Sequence, residues 1–180
     1  MNPNQKMRVA TVWLSGCSGC HMSFLDQDER LVDLAKKITL VYSPIADVKE
    51  FPPDVAVTLI EGAMANEEQK EMLKTVRSKT AVLVSLGDCA VTGNVTALRN
   101  SWPHSDQVIL ERAYNNPENL HAQIPTQVPK LLIHARPLHE IVKVDHYIPG
   151  CPPNAELIHY VLTELLDGRI PVMERRSKYG

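Results

Sequence analysis

Four cysteines constrain this chain more than any other feature. Cys17, Cys20, Cys89 and Cys151 are its whole cysteine complement, and each sits in a glycine-containing turn beside an apolar run. Ser15-Gly16-Cys17-Ser18-Gly19-Cys20 follows Val9 to Leu14, Gly87-Asp88-Cys89-Ala90 follows Ala81 to Leu86, and Pro149-Gly150-Cys151-Pro152-Pro153 follows Val144 to Ile148. Three of the turns therefore lie where a buried strand ends. In an open α/β sheet the carboxyl ends of parallel strands share one crevice, so turns far apart in sequence converge there on a single group. The distribution reads as one metal cluster.

The rest of the chain supplies the elements such a sheet needs. Short apolar runs rich in β-branched residues mark strands at Arg8 to Leu14, Ile38 to Tyr42, Asp54 to Ile60, Ala81 to Leu86 and Val144 to Ile148. Continuous apolar runs suit strands covered on both faces. Asn66 to Lys79 reads as a helix with Asn66 as N-cap, Gln69 in the capping-box position, and Met72, Leu73 and Val76 on one face. A last helix runs from about Asn154 to Leu166 with Leu157, Ile158, Val161, Leu162, Leu165 and Leu166 at helical spacing, and Gly168 ends it. The expected fold is an α/β, flavodoxin-like three-layer sandwich with a mostly parallel sheet, formed as a single domain over residues 1–180. One segment breaks the pattern: Pro103, Pro117, Pro125, Pro129 and Pro137 punctuate Trp102 to Pro137, so a long irregular insertion at 102–137 is expected, functional or contact-making.

At 180 residues the chain buries roughly 70% of its unfolded surface and folds without disulfide staples, leaving the cysteines free for other work. A formal net charge of -2 argues against a nucleic-acid surface or a polybasic membrane surface. The apolar runs fall well short of the ~18 residues that span a bilayer, so no membrane insertion is expected. Met1 to Met7 is polar and no signal peptide is read there. A cytoplasmic, reducing location follows, where grouped cysteines are metal-binding or catalytic rather than bridged.

Three chemistries compete for the thiols. A thioredoxin-type dithiol fits Cys17 and Cys20 near a βα unit but leaves Cys89 and Cys151 unexplained. Structural zinc uses four thiolates, yet such sites are commonly built from two local Cys-x-x-Cys knuckles, and here the second pair is widely split. An iron-sulfur cluster also takes four thiolates and accepts dispersed ligands, and a Cys-Pro step such as Cys151-Pro152 is common beside one. Gly16, Gly19, Gly87 and Gly150 let the backbone approach the sulfurs and aim N–H groups at them; each is equally well read as a simple turn glycine.

Taken together, the motifs resemble the small subunit of NiFe hydrogenases. The likeness rests on Cys-x-Gly-Cys at Cys17 to Cys20, Leu-Ile-Glu-Gly-Ala at Leu59 to Ala63, and Gly-Asp-Cys-Ala-Val-Thr-Gly at Gly87 to Gly93, followed by Leu-His-Glu-Ile-Val-Lys-Val-Asp leading to Pro-Gly-Cys-Pro-Pro. These four motifs occur in the family's order between about Arg8 and Gly168. The resemblance implies that Cys17, Cys20, Cys89 and Cys151 hold one proximal 4Fe-4S cluster, next to a NiFe centre on a separate large subunit. Respiratory and periplasmic members carry further cluster ligands toward the C-terminus and a twin-arginine signal; neither is expected here, and Arg175-Arg176 is not in the N-terminal position of such a signal. The short, single-cluster form is similar to the small subunit of bidirectional, NAD-reducing soluble hydrogenases, whose partners include a diaphorase with FMN and iron-sulfur clusters. The implied function is electron relay between the large subunit and NAD, with no complete active site on this chain. A quinone-reductase subunit of the complex I type, with adjacent cysteines in its first motif, and a zinc-stabilised scaffold are the alternatives.

Among the remaining residues, Glu61 follows the third strand and is expected to point into the crevice, as a proton-transfer group, a support for the cluster ligands, or a turn cap. His21, beside Cys20, is singled out from His104, His121, His134, His139, His146 and His159, which show no metal-ligand spacing. Lys74, Arg77 and Lys79 read as a solvated helix face. A flavin in the first βα loop is disfavoured, because the cluster would occupy that loop.

Overall fold

The computed structural model describes residues 6–102, 105–115, 117–119 and 121–173. Pro103, His104 and Arg175-Arg176 lie outside the described residues. Five parallel strands form the main sheet: β1 (Met7–Trp13), β2 (Ile38–Tyr42), β3 (Val55–Glu61), β5 (Thr80–Leu86) and β7 (His146–Ile148), in the order β2-β1-β3-β5-β7. A two-stranded antiparallel ribbon, β4 (Met64–Asn66) with β6 (Leu131–Arg136), stands beside it.

Helices cover both faces of the main sheet, as continuous apolar strands require. On one face α1 (Gly19–Leu25), α2 (Arg30–Lys37) and α6 (Ala155–Leu166) bury Phe24, Leu34, Ile158, Val161 and Leu162 against Val9, Val57, Leu59, Val84 and Ile148. On the other, α3 (Glu67–Lys79) and α4 (Asp88–Thr92) bury Leu73, Val76 and Ala90 against Ala10, Val12, Ile60 and Leu83. The three-layer α/β architecture is thus the one the apolar runs imply. Ile158, Val161 and Leu162 are wholly enclosed, each burial stabilising the fold by about 1.5–3 kcal/mol.

Capping follows the expected residues with one change of partner. The Gln69 N–H donates to Asn66 Oδ1 (2.8 Å) at the start of α3, and the Leu157 N–H donates to Asn154 Oδ1 (2.7 Å) at the start of α6. The Gln69 side chain, however, does not reach back to the cap residue: its Oε1 accepts from the Ala65 N–H (2.9 Å) and from Ser15 Oγ (3.0 Å), tying the helix start to the first cysteine loop.

Two expectations are corrected. Residues 102–137 are not irregular throughout: a short helix α5 (Ser105–Ile109), a single π-type turn (Leu110–Tyr114) and β6 lie within them. The run Leu131-Leu132-Ile133 carries enough β-propensity to pair with β4 despite the prolines around it. Nor is Arg77 merely solvated. Its guanidinium donates to Asp145 Oδ2 (2.6 Å) and to the carbonyls of Lys143, Thr80 and Ala81, and Lys79 donates to the Phe51 carbonyl (2.8 Å). The C-terminus of α3 is thereby stitched to the start of β5 and the approach to β7.

Candidate metal centre

The first cysteine loop leaves β1 and is fixed at once to the chain beyond β3. The Leu14 N–H donates to the Glu61 carbonyl (2.9 Å), and Ser15 and Ala63 exchange backbone hydrogen bonds (3.0 and 2.8 Å). Ser18, in the left-handed region at φ 64°, turns the chain into α1, which begins one residue before Cys20. Glu61 is 1% exposed, and its Oε2 accepts from the His21 N–H (2.8 Å) and lies 2.6 Å from His21 Nδ1. Glu61 therefore anchors the N-terminal turn of α1 from beneath, against Gly16, where a Cβ would meet its Oε1 at 3.2 Å. His21 is the histidine that touches this site among the described residues; His159, by contrast, pairs with Gln27 Oε1 (2.9 Å) between α6 and the α1–α2 turn.

Cys89 lies in α4, directly after β5, and Cys151 directly after β7. The two turns are joined in register: the Gly87 N–H donates to the Ile148 carbonyl (2.8 Å), the Asp88 N–H to the Gly150 carbonyl (2.9 Å), and the Gly150 N–H to Asp88 Oδ1 (2.6 Å). The Cys151 turn is tied back to the first by Ser23 of α1, whose Oγ donates to the Pro153 carbonyl. The Cys151-Pro152 peptide is cis.

The glycines serve this packing in a way that is not legible in the sequence. The expectation that the N–H groups of Gly87 and Gly150 face ligand sulfurs is corrected: both are engaged within the protein. What glycine supplies there is space and backbone freedom. Gly87 has φ 81° and ψ 160°, and a Cβ on it would overlap Cys20 Sγ; Gly150 has φ 135°, and a Cβ would stand 2.6 Å from Pro153 Cα. Gly19 lies against Cys17, its Cβ position 3.3 Å from that sulfur.

All four thiols share one electrostatic neighbourhood. Burial pushes the Cys20 thiol far up, and Glu61, Cys89, Cys17 and Cys151 add to the effect. Burial also raises Cys151, with Cys89, Asp88 and Cys17 contributing and a hydrogen bond from the Asn94 side chain opposing. Four thiolates and a carboxylate cannot all ionise side by side without positive charge among them, and metal ions supply it. The crevice is graded in depth: Cys20 is buried, Cys89 half-buried, Cys17 and Cys151 exposed. Four thiols delivered from three separate turns fit a multi-iron group, in which each thiolate meets its own iron.

Three residues at this site escape a sequence reading: Asp88, Ser23 and Asn94. Asp88 stands between Gly87 and Cys89 and looks like a helix-start acid. Ser23 and Asn94 act on the Cys151 turn, which lies far along the chain.

Comparison with known proteins bears on the same residues. The family model described as NADH ubiquinone oxidoreductase, 20 Kd subunit, matches residues 17–165. The chain is 41% identical to the NAD-reducing hydrogenase HoxS subunit delta of Cupriavidus necator, over 93% of this chain and 82% of that protein. It is 36% identical to a component of the F420-non-reducing hydrogenase of Methanothermobacter marburgensis over 91% of this chain, spanning 54% of that longer protein. A chain from the crystal structure of an NAD+-reducing NiFe-hydrogenase in the H2-reduced state superposes with a TM-score of 0.89 at 40% identity, covering 98% of this chain and all of that one. A NiFeSe-hydrogenase chain from Dm. baculatum shares the fold at a TM-score of 0.62 and 16% identity. The chain belongs to the NADH ubiquinone oxidoreductase 20 Kd subunit family, and within it is an oxidoreductase subunit of the NiFe-hydrogenase kind.

Proposed function

We propose that this chain is the electron-transfer small subunit of a cytoplasmic, NAD-reducing NiFe hydrogenase, and that Cys17, Cys20, Cys89 and Cys151 hold one 4Fe-4S cluster. The observation that carries the reading is the convergence of four thiols, each raising or raised by its neighbours, at the carboxyl ends of β1, β5 and β7. When bound, such a cluster supplies one-electron transfer between a NiFe centre on a large subunit and the FMN of a diaphorase that serves NAD. The chain's own residues hold and insulate it. Cys20 forms the deep wall, Cys17 and Cys151 the outer rim, and Gly16, Gly19, Gly87 and Gly150 keep the backbone close to the sulfurs. Glu61 locks the first loop through His21, and its proposed second role is to move a proton toward the large-subunit face.

The rim is suited to burial by other subunits. Met22 and Leu25 of α1 stand exposed beside the first cysteine loop, with Val95 and Leu98 following the Cys89 loop. No described helix is long and apolar enough to cross a membrane. Residues 1–180 act as one cluster-binding domain, and 102–137 as a contact-making segment for the large and diaphorase subunits. The family name also covers quinone reductases, but Ser18-Gly19 separates the first two cysteines here.

Anaerobic purification of the native assembly tests the reading. A nickel-containing large subunit and a diaphorase reducing NAD with hydrogen are expected to copurify, with about four irons and four sulfides attributable to this chain. Cys89→Ser and Cys151→Ser are each expected to lose or convert that cluster. A full cubane retained in both variants would overturn the four-cysteine ligand assignment, and a colourless, companionless monomer would return the chain to the zinc scaffold.

A further inference from the structure

The β5–β7 ladder does not stop where the strands do. Val84, Ser85 and Leu86 pair in parallel with His146, Tyr147 and Ile148. Beyond them the Gly87 N–H still reaches the Ile148 carbonyl and the Asp88 N–H the Gly150 carbonyl. At the next step a side chain replaces the backbone: Asp88 Oδ1 accepts from the Gly150 N–H at 2.6 Å. Asp88 and Gly150 thus exchange two hydrogen bonds, each residue directly preceding a cysteine of the proposed cluster. Asp88 is 4% exposed, so its carboxylate works in a low-dielectric setting where a charge-assisted bond is strong and a charge is felt at short range.

We propose that Asp88 is a positioning residue for the cluster: its side-chain bond from the Gly150 N–H, added to the backbone bond beside it, holds the Cys89 and Cys151 turns in register, and its carboxylate charge keeps the cluster potential low. The inference rests on the cluster reading above. Two roles follow from one side chain and can be separated. An amide at the same place keeps an Oδ1 acceptor for Gly150 but removes the charge; alanine removes both. A negative charge beside a cluster disfavours an added electron, so removing it raises the reduction potential.

The test uses the intact native complex, with electron paramagnetic resonance followed during redox titration and iron and sulfide measured in parallel. The cluster of this chain is identified as the signal that Cys89→Ser abolishes. Asp88→Asn is expected to keep native iron and sulfide and to shift the midpoint of that signal upward. Asp88→Ala is expected to lose iron and sulfide. An unshifted midpoint in Asp88→Asn, cluster loss in Asp88→Asn equal to that in Asp88→Ala, or full native cluster content in Asp88→Ala would each overturn the inference. If native complex shows no signal sensitive to Cys89→Ser, the cluster reading itself fails, whatever the Asp88 variants do.

Discussion

Gly87→Ala is the sharpest perturbation of the ligand crevice. Gly87 sits at φ 81° and ψ 160°, a region essentially reserved for glycine, so alanine there costs about 1–3 kcal/mol in backbone strain alone. The new methyl would also overlap Cys20 Sγ. Restoring ordinary contact requires the sulfur to retreat by about 1 Å, and in a packed interior such displacement costs a further 1–3 kcal/mol or so. Cys20 is 8% exposed and belongs to the buried cluster that includes Phe24, Leu86 and Ile158, so a shift of its sulfur disturbs packed neighbours. The combined penalty is about 2–6 kcal/mol, and it falls on a proposed ligand. Gly168→Ala is the control, because Gly168 also has a left-handed φ of 73° but a Cβ there meets nothing within 4 Å. Its expected cost is about 1–2 kcal/mol. Iron and sulfide content, visible absorption and the temperature at which the cluster band is lost measure both variants in the native complex. Gly87→Ala is expected to lose most of its cluster, with any remainder bleaching at least roughly 5 °C below native, and Gly168→Ala to keep full content. Native cluster content and thermal behaviour in Gly87→Ala would refute the argument that glycine is there to make room for the sulfur.

Further outcomes follow from Asp145 and Glu61. Burial pushes the Asp145 carboxyl up, but the Leu83 N–H, the Arg77 guanidinium and Lys143 outweigh it and hold it below the usual carboxylate range. Its stabilisation is therefore complete above the ordinary carboxyl value of about 3.9 and is lost as pH falls through the lowered value. Asp145→Asn should cost about 1–3 kcal/mol near neutrality and flatten the acid limb of the unfolding curve, measured by circular dichroism against pH; an acid limb identical to native would exclude the ion pair as its source. Glu61→Gln keeps the acceptor for the His21 N–H but cannot carry a proton, so hydrogen turnover should fall while the complex stays assembled. Unchanged rates across pH would leave Glu61 with loop anchoring alone.

Much of this was legible in the residues, for reasons that differ by element. Strand Ile38–Tyr42 is read to the residue and the main sheet's other strands nearly so, because an apolar run between turn residues encodes both its period and its ends, whereas β4 and β6 of the ribbon go unread. The cysteines are legible because each carries its chemistry locally. Helix α1 is not, since it starts inside Ser18-Gly19-Cys20, where turn residues mask its short apolar face. β7 begins later than the apolar run suggests, at His146 rather than Val144. Just before it, the Asp145 side chain is drawn aside to bond Arg77 and the Leu83 N–H. Arg77 misleads because a charged residue on a helix looks solvated until the partner that buries it is known, and its partner Asp145 lies far along the chain; Asp88 goes unread for the same reason, its partner being Gly150.

Strand order also sets a schedule. Cys17, Cys20 and Cys89 follow β1 and β5, which flank central β3, while Cys151 follows β7, the sheet's outermost and latest strand, held in place by α6. As the chain leaves the ribosome, N-terminal parts fold first, and non-local parallel pairing is slow. A nascent chain stalled before β7 presents three thiols in an unfinished sheet edge. The fourth arrives only after α6 has been made and docked. The proposed cluster is therefore expected to be inserted late, once the last strand is in place, and until then the partly built protein must be kept from aggregation and oxidation.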